Sequence, residues 1–261
     1  MDNRNEFVDF SDTETAFASK SLKELKKSLW LFKMMNKETL VDIATACARW
    51  AIKWHIPFTK TVIKSTIFDQ FVGGETLQES EQAIEKLWKS RILSVLDYGA
   101  EGKSSEKDLD AACDQFVRSV LFAAASEGVP VVSIKVSALA QNDLLEKVQA
   151  RDKLTTAEQD RYSRVQERVN RICNQAYETG MKIFIDAEES WIQEPIDRMV
   201  EDMMERYNKE RVVVYQTFQM YRKDRLPYLQ RLFHIAREKQ YVLGAKLVRG
   251  AYMEKERDRA L

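Results

Sequence analysis

The sequence has 261 residues, 44% hydrophobic and 31% charged, enough apolar side chain for a sizeable core in one large domain or two small ones. Its 41 basic and 41 acidic residues cancel, which excludes a whole-protein field that would draw nucleic acid or an anionic membrane surface. Only eight Gly and four Pro occur, well under the average share of roughly 12%, so few positions are left for turns and a helix-rich fold is expected.

The chain opens with Asp2, Glu6, Asp9, Asp12 and Glu14 before any apolar run, the composition of neither a secretory signal nor an Arg-rich transit peptide, so a cytoplasmic location is expected. Helices are then predicted over 22–35, with a lysine-rich face, over 37–56, and over 59–71, closed by Gly73-Gly74. A capping box, Thr76-x-x-Glu79, opens a further amphipathic run through Ala83, Ile84, Leu87 and Trp88. Residues 1–90 thus read as a helical lead-in.

From residue 91 the pattern changes. Short runs rich in Val and Ile at 92–96, 131–136, 182–185, 212–215 and 241–248 alternate with helical segments at 108–127, 157–179, 191–207 and 226–239. That alternation implies right-handed βαβ units and a parallel sheet. The strand spacing suits a (β/α)8 barrel, but five strands are present where a barrel uses eight. The residues alone leave two readings. One is an open five-stranded α/β sheet, which leaves fewer strand edges to satisfy; the other is a barrel lacking its last three units.

Parallel sheets bind ligands at the carboxyl ends of their strands. There the sequence places Asp97 and Glu101, then Lys135, then Asp186-Ala187-Glu188-Glu189, then Gln216, and finally Lys246 with Arg249-Gly250-Ala251-Tyr252. A lysine set between Ile134 and Val136 is costly to bury without a partner. Five strands each delivering polar groups to one end point to a pocket for a small charged ligand beside a larger cofactor. Other chemistries find no support. There is no Gly-rich phosphate loop and no GxSxG elbow. Cys47, Cys113 and Cys173 are widely spaced, and His55 and His234 lie far apart, so no zinc or other metal site is expected.

At these strand ends the sequence resembles the proline dehydrogenase family, and is most similar to its single-function, mitochondrial-like members. The matching segments are FVGGETLQESEQAIEKLW (71–88), VSIKVSAL (132–139), FIDAEESWIQ (184–193), VYQTFQMYRKDRL (214–226) and GAKLVRGAYMEKERDRA (244–260). The resemblance implies a TIM-like (β/α)8 barrel preceded by helices, with a lead-in over 1–90 and the first five βα units, an incomplete barrel, over 91–261. It implies oxidation of L-proline to Δ1-pyrroline-5-carboxylate by hydride transfer to non-covalently bound FAD. Electrons would then pass to a quinone at the membrane, with peripheral contact at the inner membrane and no nucleic-acid or metal partner.

The same resemblance implies roles for particular residues. Lys135 is expected to bind the proline carboxylate, and Asp186 and Lys246 to be catalytic, Lys246 standing near flavin N5 where bacterial bifunctional members carry arginine. Ala187, Gln216, Val248, Arg249, Gly250 and Ala251 are expected to contact FAD. The family's arginine pair that clamps the proline carboxylate has no counterpart in this sequence, so the chain alone is expected to be weak or inactive. A non-catalytic half-barrel interaction or regulatory domain is the alternative, against which the retained Lys135, Asp186, Gln216 and Lys246 argue.

Overall fold

The computed structural model describes residues 9–99, 102 and 105–261; Asp2, Glu6 and Glu101, singled out above, lie outside these. The chain divides into two units, one up to Ile92 and one from Leu93 onward.

The first unit is helical: α1 (Thr13–Phe17), α2 (Leu22–Met35), α3 (Glu38–Lys53), α4 (Thr59–Ile63), α5 (Asp69–Phe71) and α6 (Leu77–Lys89). Ser21 and Glu24 form a reciprocal capping box that starts α2, and the Thr76 side chain caps α6. The run predicted as one helix over 59–71 is instead interrupted by a π-helical turn, Lys64–Phe68. There the Thr66 hydroxyl donates to the carbonyl of Val62 at 2.6 Å and the Ser65 hydroxyl to the same carbonyl at 3.2 Å, a competition that loosens the α-helical ladder. Helix α3 stops at Lys53, before the predicted 56: Trp54 is its C-cap and His55 takes a left-handed backbone with φ 52°, which breaks the helix ahead of Pro57.

The second unit is a five-stranded, wholly parallel sheet: β1 (Val95–Asp97), β2 (Val131–Ile134), β3 (Lys182–Ile185), β4 (Val214–Gln219) and β5 (Ala245–Val248). Its helices are α7 (Glu106–Ala124), α8 (Asn142–Ala150), α9 (Thr156–Thr179), α10 (Gln193–Tyr207), α11 (Arg225–Glu238) and α12 (Met253–Ala260). Strand order follows chain order, β1-β2-β3-β4-β5. With right-handed crossovers, that order sends every connecting helix to the same side of the sheet, as in the wall of a barrel. A doubly wound sheet would reverse direction partway. Helix α8, absent from the sequence reading, packs against α9 and α10 and buries Leu144 and Leu145. Among the described residues no helix is long and apolar enough to cross a membrane.

Strand alternation sorts the sheet residues into two faces. Ser133, Phe184 and Tyr215 share one register row, and the Phe184 and Tyr215 rings meet edge to face at 5.2 Å. Ile134, Ile185 and Gln216 form the next row and point the opposite way, toward the helices. Phe218, on that same helix-facing side, packs against Tyr228 of α11. The core therefore lies between sheet and helices, built from fully buried Leu109, Phe116, Ile172, Ile183, Ile185 and Phe218. The other face carries the polar strand-end residues.

Candidate active site

Lys246 and Asp186 meet on the inner face. Lys246 Nζ donates to Asp186 Oδ1 at 2.5 Å and lies 5.0 Å from the centre of the Phe184 ring. Both side chains are half-buried. Thr217 of β4 is register partner to Lys246, so its hydroxyl stands in the same row; it is buried without a partner, as is the hydroxyl of Ser133 one row below. Two unpartnered buried hydroxyls on one face, beside an ion pair, form a surface that can take a polar ligand.

Lys135 follows the last residue of β2 and leads into a 3-10 turn, Val136–Ala138; the sequence reading had placed it inside the strand. Sheet pairing continues one step past the strand ends, where the Asp186 amide donates to the Ile134 carbonyl at 2.9 Å, so Lys135 and Asp186 leave neighbouring strands at one level. Val248 shares the inner face with Lys246, and Ala187 is buried at the end of β3. Arg249, Gly250 and Ala251 follow β5 as an exposed loop.

Gln216 does not join them. Its side chain is on the helix-facing side, 1% exposed, and donates to Asp197 Oδ1 of α10 at 2.7 Å. There it belongs to a buried polar cluster in which Arg225 Nη1 also reaches Asp197, at 2.6 Å, and Gln193 Nε2 does so at 2.8 Å. The residue of β4 that reaches the site is Gln219, three positions on and therefore on the other face. Gln219 Nε2 donates to the Glu188 carbonyl at 2.7 Å, and its Oε1 accepts from the Ala251 amide at 3.3 Å, tying the end of β3 to the loop after β5. The sequence reading ended the fourth strand at 215; the strand instead runs to 219, and alternation along it puts Gln216 and Gln219 on opposite faces.

Gly250 has φ 122°, a conformation that L side chains rarely adopt, and a Cβ there would collide with the Tyr221 ring. Tyr221 is held under this loop by its own amide, which donates to the Arg249 carbonyl at 3.0 Å.

Beside the inner row, a cavity of about 510 Å³ opens at the ends of β2 and β3, with Ser137, Gln141, Glu188, Glu189, Tyr252 and Lys255 in its wall. Glu188 is 2% exposed and accepts from the Ser137 amide at 2.9 Å. Burial pushes its carboxyl up to about 7, with repulsion from Glu189 adding to the rise while the Ser137 amide and the Lys135 ammonium oppose it. Helix α12 borders the cavity and buries no residue of its own. Polar tethers hold it: Lys255 to Glu189 at 2.7 Å, Glu256 to the amide and hydroxyl of Ser190 at 2.7 and 2.5 Å, and Arg259 over the Trp191 ring at 4.2 Å.

Comparison with known proteins places these elements in context. The proline dehydrogenase family profile matches residues 80–261. The chain is 34% identical over 187 residues to the carbapenem antibiotics biosynthesis protein CarD of Pectobacterium carotovorum subsp. carotovorum, covering 72% of this chain and 50% of that protein. It is 25% identical over 291 residues to proline dehydrogenase 1, mitochondrial, of Dictyostelium discoideum, covering 95% of this chain and 50% of that protein. The chain thus spans about half the length of these two curated relatives. In fold it is similar to proline utilization A of Bdellovibrio bacteriovorus inactivated by N-propargylglycine, with a TM-score of 0.64 at 18% identity over 77% of this chain and 22% of that one.

Proposed function

The chain belongs to the proline dehydrogenase family, and from that premise we propose that the whole protein is an oxidoreductase that converts L-proline to Δ1-pyrroline-5-carboxylate, using FAD and a quinone as successive electron acceptors. The observation that carries this reading is the half-buried Asp186–Lys246 pair, set on the inner face at the carboxyl ends of parallel strands.

The residues present fit a flavin. Lys246 offers a fixed cation, the neighbouring Thr217 hydroxyl is buried without a partner, and the loop over 249–251 presents backbone where Gly250 carries no side chain. FAD would be held by Lys246, Val248, Arg249, Gly250 and Ala251, with Ala187 and Gln219 at its border. When bound it supplies the two-electron acceptor that oxidation of an amine carbon requires.

This chain's own groups do the rest. Lys246 keeps positive charge where reduction would place negative charge, and Asp186, at 2.5 Å, holds that ammonium in position. The Phe184 ring beneath Lys246 offers its π face and limits hydration of the ammonium from that side. Lys135 binds the substrate carboxylate as a compact point charge.

The test is anaerobic addition of L-proline to the FAD-loaded protein, followed by its visible spectrum. Loss of the oxidised flavin band with L-proline, and its retention in Lys246→Met, is the expected result. Flavin that stays oxidised, or a protein that does not take up FAD at saturating concentration, would overturn the proposal.

A further inference from the structure

Thr217 is 3% exposed and its hydroxyl has no hydrogen-bond partner, a costly arrangement in an interior. Its place in the sheet is defined on both sides. Lys246 is its register partner on β5. On β3, Ile185 pairs with Gln216, so one step on Asp186 stands beside Thr217. Asp186, Thr217 and Lys246 are thus consecutive members of one row, from the end of β3 across β4 to β5, with the hydroxyl in the middle. Alternation puts that hydroxyl on the inner face. Tyr215, two residues before it, meets the Phe184 ring, and Gln219, two residues after it, reaches the Glu188 carbonyl.

The outer members of the row bond to each other across the middle one. Lys246 Nζ donates to Asp186 Oδ1 at 2.5 Å, spanning the strand that carries Thr217. The bridge serves both charges and leaves the hydroxyl between them idle. Such a bridge is readily shared, because an ammonium carries several donors and a carboxylate accepts at either oxygen. Within the row, the hydroxyl is the one donor besides Lys246 that stands next to Asp186. Ser133, whose hydroxyl is likewise buried without a partner, has Phe184 as its register partner on β3, so no charged side chain stands beside it there.

We propose that Thr217 is a positioning residue for Asp186: when a ligand takes hydrogen bonds from Lys246, the Thr217 hydroxyl donates to the Asp186 carboxylate and keeps it facing the ammonium. The inference rests on the assignment of Lys246 to the flavin made above. With Lys246 wholly engaged by Asp186 the hydroxyl is unsatisfied; with Lys246 shared, it is satisfied. Binding therefore gains one hydrogen bond to a charged group, which corresponds to about tenfold in affinity.

The measurement is FAD affinity of the full-length protein, followed by quenching of flavin fluorescence. A mutant cycle combines Thr217→Val, which keeps the shape and removes the hydroxyl, with Asp186→Ala, which removes the carboxylate it serves. Thr217→Val should weaken FAD binding about tenfold in the parent and by less than about twofold in Asp186→Ala, and Thr217→Ser should retain the parent's affinity. Measured without FAD, Thr217→Val should melt at the parent's temperature or above it, since no hydrogen bond is lost. Unchanged FAD affinity in Thr217→Val would overturn the inference. So would an equal loss in Asp186→Ala, which puts the hydroxyl on the ligand itself, or a lowered melting temperature, which makes its role structural. Should Thr217→Val fail to fold, a crystal structure of the FAD-loaded parent decides: Thr217 Oγ1 within about 3.5 Å of an Asp186 carboxylate oxygen is expected, and a longer separation overturns the inference. A parent that takes up no FAD removes the flavin assignment and this inference with it. The expected cycle, without bleaching by L-proline, removes the proposed oxidation and leaves the role of Thr217 standing.

Discussion

Lys246 lies on β5 and Asp186 directly follows β3, strands that are not neighbours, and their 2.5 Å ion pair spans β4. The pair closes over Thr217, the register partner of Lys246. A half-buried pair of this kind adds little to stability, of the order of 1 kcal/mol, so its placement is better understood as fixing an ammonium at one point above the sheet.

From this follows the first prediction. Lys246→Met and Asp186→Asn should each lower proline turnover by about 100-fold or more, the loss typical of removing one preorganised charge from a reacting centre. Thermal unfolding should shift far less, by the equivalent of about 1 kcal/mol. Stopped-flow reduction by proline and a melting curve on the same samples measure the two quantities. Equal damage to both would mean that the pair is structural.

Gln216 and Gln219 should separate in the opposite senses. Gln216→Leu leaves Asp197 and Arg225 with an incomplete buried cluster, and should cost about 1–3 kcal/mol of stability while changing flavin affinity little. Gln219→Leu releases the Ala251 amide and the Glu188 carbonyl, and should weaken flavin affinity by about tenfold or more, since charge-free hydrogen bonds of this kind are worth about 1 kcal/mol each. Chemical denaturation and a flavin fluorescence titration, run on both variants, read out the pair. Flavin affinity lost in Gln216→Leu but kept in Gln219→Leu would reverse the assignment.

That pair of residues also marks where reading the sequence succeeds and where it stops. Alternating Val/Ile runs and helical periodicity are local signals, and they place all five strands within a few residues. Lys135 and Asp186 directly follow β2 and β3, where hydropathy changes abruptly, so their place at one end of the sheet is visible from the chain alone. The facing of Gln216 is not, because a strand's two faces differ only by one residue of register, and VYQTFQ carries a glutamine on each side. Helix α8 was missed for a related reason: a nine-residue segment with only Leu144 and Leu145 buried gives too short an apolar period to stand out. The buried state of Glu188 was illegible too, since it depends on Ser137, Gln193 and Gln219 arriving from three other segments.

Gly250→Ala should be poorly tolerated. At φ 122° an added Cβ is strained in its own backbone and also meets the ring of Tyr221, whose backbone amide is bonded to the Arg249 carbonyl. Strain and overpacking together predict a loss of about 2–4 kcal/mol. Adding Tyr221→Ala removes the collision but not the backbone strain, so the double variant should recover part of that loss and no more. Full recovery would assign the whole effect to the ring, and a Gly250→Ala protein as stable as the parent would show that the loop relaxes freely.

The tethers of α12 predict a helix that loosens with salt. No residue of α12 is buried, and its attachments are the Lys255–Glu189 pair, the Glu256–Ser190 hydrogen bonds and Arg259 against Glu146 and Trp191. Each exposed ion pair contributes no more than about 1 kcal/mol and is screened by salt. Amide exchange over 253–260 should therefore speed up several-fold between low salt and roughly 0.5 M salt. Glu256→Ala, which removes two hydrogen bonds to Ser190, should speed it up at both. Exchange indifferent to salt would mean that the helix is held by contacts other than these.

Glu188 gives the stability curve a definite slope. Its carboxyl titrates at about 7 in the folded protein against an ordinary value of 4.5, because burial penalises the charged form. The folded state therefore holds a proton that the unfolded state has already released between those two values. Stability is greatest below the ordinary value and falls as pH rises toward the folded value, by an amount on the order of 3 kcal/mol, with no further change from this group above it. Glu188→Gln cannot ionise, so urea denaturation at a series of pH values should find that this downward slope has disappeared and that the variant gains most over the parent at the alkaline end. A variant whose stability declines with pH as steeply as the parent's would place the titrating group elsewhere.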